Sequence, residues 1–135
     1  MDELIKKGAV ELGQLIKKGE TSSEEVVKAH LERIKEVNPE INAITISLEE
    51  SALELAIKSD NASKEDKTRI LHGVPFTIKE NIDFTGSPTT NGLPFLAEEF
   101  PPKNAPIVDR MLSAGAIPIG RTNLPEMGLR LDTDN

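Results

Sequence analysis

Apolar residues in the first third of the chain recur at three- and four-residue intervals. Leu4, Ile5, Val10, Leu12, Leu15 and Ile16 follow that spacing and Gly19 supplies a stop, which predicts a helix. Ser22 and Glu25 have capping-box spacing, with Thr21 as an alternative cap. The stripe Val26, Val27, Leu31, Ile34 and Val37 then predicts a second helix ending near Asn38-Pro39. Residues 41–48 (INAITISL) are β-branched and apolar, as in a strand of the buried type. Helical periodicity returns over residues 49–59, and the polar residues 60–69 read as an exposed loop.

Beyond residue 70 the period becomes two. Val74, Phe76 and Ile78 are expected to face one way, and Pro75, Thr77 and Lys79 the other. Residues 80–106 hold many prolines, glycines and asparagines, the composition of a long ordered loop. A short helix over residues 107–114, closed by Gly115, precedes a strand at Ala116-Ile117-Pro118-Ile119. Asn123 and Glu126 again have capping-box spacing, with Pro125 in the first helical turn. The order β–loop–α–β–loop–α predicts an α/β fold with some parallel strands, whose ligands gather at the carboxyl ends of the strands. Lys79 and the expected turn Gly120-Arg121-Thr122-Asn123 lie at such ends.

Composition narrows the function. Net charge is −7 and the lysine pairs are diluted by nearby acids, so a nucleic-acid partner is not expected. Aromatic residues make up 3% of the chain, which leaves the core to Ile, Leu, Val and Ala. The absence of cysteine rules out disulfides and thiolate metal sites and makes a reducing cytoplasm the default compartment. No apolar run approaches the ~20 residues of a membrane span, so no membrane partner is expected. The isolated His30 and His72 form no recognisable metal-ligand set; the first reads as a helix-surface residue, the second as a packing or hydrogen-bonding one.

Lys79 is the most unusual position. It ends an apolar alternating strand, where burial would disfavour its ammonium and free an amine to take a proton from a hydroxyl nucleophile. From composition and spacing alone, the reading that outweighs it is a lysine that snorkels to water or pairs with Glu80. Ser87, before Pro88, reads as a turn residue. Thr122 and Asn123 fit two roles, orienting a substrate or capping the helix that follows.

Four collinear stretches carry a resemblance. Gly73-Val74-Pro75-Phe76-Thr77-Ile78-Lys79-Glu80-Asn81 resembles the G-V-P-x-x-x-K-[DE]-N segment of the amidase signature family. Gly86 to Gly92 resembles its G-x-x-T-T-x-G loop. Ala105-Pro106-Ile107-Val108 with Leu112, Ala114, Gly115 and Ala116 resembles its A-P-x-V…L-x-A-G-A helix. Gly120-Arg121-Thr122-Asn123-Leu124-Pro125-Glu126-Met127 resembles its G-[KR]-T-N-x-x-E-[FM] segment.

The resemblance implies an α/β/α domain on a mixed sheet, with an amino-terminal helical segment over residues 1–70 and the start of the catalytic domain over 71–135. It implies hydrolysis of small-molecule amides by a Ser–cis-Ser–Lys triad without a cofactor, with Lys79 as the base. Asn81, Thr122, Asn123, Thr133 and Asn135 match segments that support the site or border the substrate pocket. The family's glycine- and serine-rich loop, which supplies both serines, is expected beyond residue 135. The chain is therefore expected to be an amino-terminal portion, inactive alone, whose protein partner is the carboxy-terminal remainder or a second copy. Gly128-Leu129-Arg130-Leu131 replaces the small-residue run found in the A subunits of tRNA-dependent amidotransferases, which favours a stand-alone amidase over that alternative. A non-catalytic fragment that kept the scaffold is the third reading.

Overall fold

A computed structural model describes residues 3–133. Helix α1 (Ala9–Lys18) ends at Gly19, whose left-handed φ of 73° lets its N–H reach back to the Ile16 carbonyl. Helix α2 (Ser23–Ile41) starts at a complete capping box: the Ser22 hydroxyl accepts from Glu25 N, and the Glu25 carboxylate accepts from Ser22 N. Ser22→Ala is expected to lower stability by about 1 kcal/mol, read as a lower urea midpoint with an unchanged m-value. The Asp60 carboxylate adds a distant cap, taking Ser23 N at 2.7 Å and Glu24 N at 3.0 Å.

Helix α2 runs past its expected stop, with Pro39 inside its last turn. Asn38 stabilises that turn by exchanging two 2.8 Å hydrogen bonds with Ile44, which also pins the start of β1 (Ile44–Ser47). The strand is therefore shorter than the apolar run predicts, and Thr45 and Ser47 are exposed where a strand of the buried type was expected. Helix α3 (Glu49–Asp60) follows directly, then a short 3-10 turn at Asp66–Thr68 within the expected loop.

Strands β2 (Pro75–Lys79) and β3 (Ile117–Thr122) flank α4 (Pro106–Ser113) in sequence. The sheet order is β1-β3-β2, with β1 antiparallel and β2 parallel to the central β3. This mixed α/β sheet draws one strand from before residue 70 and two from after. Val27 and Leu31 of α2 and Ala52 and Ala56 of α3 pack on Ile117 and Ile119 of β3. A second cluster joins Leu12, Val26 and Val74.

Strand β3 extends three residues beyond expectation, through the segment read as a turn. Gly120 explains why: a Cβ there would stand 2.8 Å from Ile44 Cγ2 and 3.2 Å from Ile46 O. The glycine serves close strand approach, not turn formation. No described helix is long and apolar enough to cross a membrane.

Candidate active site

Lys79 is the last residue of β2, and its register partner is Thr122 at the end of β3. The two strands stay zipped one residue further, because Glu80 N donates to Thr122 O at 3.0 Å. The chain then turns, with Ile82 N on Lys79 O at 2.9 Å. Lys79, Thr122 and Asn123 thus meet at the carboxyl ends of two parallel strands, as the sequence predicts. Of the alternatives open at Lys79, the structure shows the one that reaches water: its side chain is exposed, on the same side of the pleat as exposed Thr77. Pairing with Glu80 is absent, and among the described residues the Lys79 ammonium makes no hydrogen bond or ion pair.

The carboxylate of Glu80 is turned inward instead. It is buried and takes hydrogen bonds from the hydroxyls of Thr45 in β1 and Thr90 in the following loop. Asn91 N on Glu80 O at 3.3 Å holds the same loop against the strand end. Thr45, Glu80, Thr90, Asn123 and Glu126 contribute polar groups to a cleft of ≈ 390 Å³ beside this end of the sheet.

Ser87 is not a simple turn serine. It is buried and accepts from Arg121 Nη1 at 2.5 Å, and the same nitrogen reaches Pro88 O at 2.9 Å. Arg121 Nη2 donates to Ile82 O at 2.9 Å and Lys79 O at 3.2 Å. The guanidinium is fully buried; burial pulls it below its ordinary value, opposed by the Glu80 and Asp83 carboxylates. Neither Arg121 nor Glu80 stands out in the sequence as a site residue. Strand phase gave no signal: the pairing with β2 slips by one residue between Phe76 and Thr77, and Ile117 to Arg121 are all buried.

The other expected positions scatter. Asn81 is exposed just past β2. Asn123 caps no helix: its side chain accepts from Leu124 N, its own N–H extends the sheet to Ala43 O, and a 3-10 turn (Glu126–Gly128) replaces the expected helix. Thr133 is exposed in irregular chain, and Asn135 lies outside the described residues. Among the described residues no His, Asp or Glu cluster has the arrangement to hold a metal ion.

His72 lies at the opposite end of β2 and acts structurally. Its Nε2 is 3.1 Å from Ser59 O and 3.0 Å from Ser59 Oγ. Burial lowers its proton affinity below the usual 6.5; Lys67 and Arg69 push the same way, and the Ser59 hydrogen bond and Asp60 oppose. Because the folded value lies below the unfolded one, the unfolded chain binds the proton first as pH falls. Stability is therefore full above pH ~6.5 and is lost progressively below it, down to the folded value. Urea midpoints are expected to fall between pH 7 and 5.5, and His72→Gln is expected to flatten that slope.

Lys79 stands at the carboxyl end of a parallel strand, where ligands gather in α/β sheets, with a polar loop folded over its neighbours. The family model Amidase matches residues 25–135, and the chain belongs to the amidase family. It is 44% identical over 128 residues to an indoleacetamide hydrolase of Bradyrhizobium diazoefficiens, covering 94% of this chain and 24% of that protein. It is 42% identical over 125 residues to the A subunit of a glutamyl-tRNA(Gln) amidotransferase from Caldanaerobacter subterraneus, covering 93% and 26%. Among solved structures, a fatty acid amide hydrolase superposes with a TM-score of 0.90 at 27% identity, covering 98% of this chain and 24% of the other. A 6-aminohexanoate cyclic dimer hydrolase gives 0.82 at 32% identity, covering 95% and 26%. The chain spans about a quarter of the length of these relatives.

Proposed function

We propose that these residues are the amino-terminal part of a stand-alone amide hydrolase in which Lys79 is the base. The observation that carries this reading is the exposed, unpaired amine of Lys79 at the carboxyl end of β2, inside the segment that matches the family. In the proposed reaction Lys79, deprotonated when it acts, takes a proton, through a bridging serine, from a second serine whose oxygen attacks the amide carbonyl. The proton returns to the departing nitrogen, and water then releases the acid from the acyl-enzyme. Both serines belong to the part of the catalytic domain that follows residues 71–135. Asn81, Thr122, Asn123, Thr133 and Asn135 are proposed to border the substrate or support the site. The reading needs no cofactor and fits a cytoplasmic enzyme acting on small amides.

On this reading residues 1–135 alone turn over no amide. Sustained hydrolysis by the purified chain, abolished by Lys79→Ala, would contradict it. A second reading, the amidotransferase one, is favoured by the 42% identity to the Caldanaerobacter protein. It requires glutaminase activity that appears only with partner subunits and ATP, whereas the hydrolase reading requires ammonia release from simple amides without either.

A further inference from the structure

We propose that Arg121 is a positioning residue for Lys79, fixing the main chain of the Lys79–Ile82 turn so that the amine projects from a rigid strand end. This rests on the reading of Lys79 as the base. The Lys79 ammonium has no partner among the described residues, so the main chain is what fixes the point from which it projects. That main chain is held at one carbonyl from two sides, by Ile82 N at 2.9 Å and by Arg121 Nη2 at 3.2 Å. The same Nη2 takes Ile82 O at 2.9 Å, closing the turn, while Nη1 takes Pro88 O at 2.9 Å and Ser87 Oγ at 2.5 Å.

A buried guanidinium carries a heavy desolvation cost, and replacing it with an apolar side chain is often neutral where packing alone is needed. Here it meets four acceptors, three of them main-chain carbonyls. Only a fork of two nitrogens reaches both arms of the loop, so lysine is not an equivalent. The Glu80 side chain, clasped by Thr45 and Thr90, anchors the next residue from the other side. Displacing a reacting group by about 1 Å costs on the order of 10²-fold in rate, so the positions of these carbonyls matter for turnover.

The test compares Arg121→Met and Arg121→Lys with the parent chain by amide hydrogen exchange. Exchange at Glu80, Ile82 and Asn91 is expected to quicken by about tenfold or more, with Val27 and Leu31 in α2 unchanged. Should Arg121→Met unfold throughout, Arg121→Lys decides. Unchanged exchange at those three amides overturns the proposal. Uniform loss of protection in both variants also overturns it, since Arg121 would then serve general stability. In the active enzyme, Arg121→Lys is expected to lower kcat about 10–100-fold with KM within about twofold. A loss confined to KM overturns it. If Lys79→Ala leaves hydrolysis intact while the exchange result holds, Lys79 is not the base and the turn is still fixed by Arg121.

Discussion

Gly73→Ala lowers the stability of the fold by about 3 kcal/mol, combining the cost of a left-handed residue with that of overpacking. Gly73 has a φ of +74°, which an L side chain adopts with strain. A Cβ there would also lie 2.2 Å from Ser23 Oγ and 2.8 Å from Ser23 Cβ. Rotating the serine hydroxyl removes only the first contact. The second is fixed by the backbone, since Ser23 N is tied to Asp60 and Ser23 itself is fully buried in the first turn of α2. Relief requires α2 to shift from the strand it packs on. Urea denaturation checks this: Ser23→Gly in the Gly73→Ala background recovers the steric share and leaves the backbone share. A loss under about 1 kcal/mol for Gly73→Ala alone would show that α2 yields easily.

The position matters for function because Gly73 begins the segment that ends in Lys79. Its N–H binds Gly115 O at 2.9 Å, and Ile117 N binds Val74 O at 2.9 Å, so β2 and β3 are aligned from this point. Between Phe76 and Thr77 the pairing slips by one residue, which brings Lys79 to Thr122 instead of Arg121.

What the sequence made legible was local. The Ser22–Glu25 capping box, the Gly19 stop and the alternation that ends at Lys79 each depend on residues within a few positions of one another. What it hid depends on distant partners. Gly120 looks like a turn residue until Ile44 is brought against it. Ser87 looks like punctuation until Arg121, 34 positions away, is found on its hydroxyl. Asn123 and Glu126 show how a local pattern is overridden: the cap spacing is right, yet Asn123 N bonds Ala43 O and the helix does not form. Lys79 reaches water because the pleat carries it to the side of exposed Thr77, while Ile78 takes the interior. The proposal that it is a base comes from the family's motif, since strand position alone left snorkelling and pairing open.

The most direct test joins this chain to the carboxy-terminal remainder of the indoleacetamide hydrolase it resembles and measures ammonia released from a simple arylacetamide, with Lys79 or with alanine in its place. The account predicts turnover with Lys79 and a fall of at least about 10³-fold with Lys79→Ala, the scale on which loss of a general base and of the nucleophile it activates is read. Turnover by the Lys79→Ala protein within about tenfold of its parent, with the same KM, would contradict it.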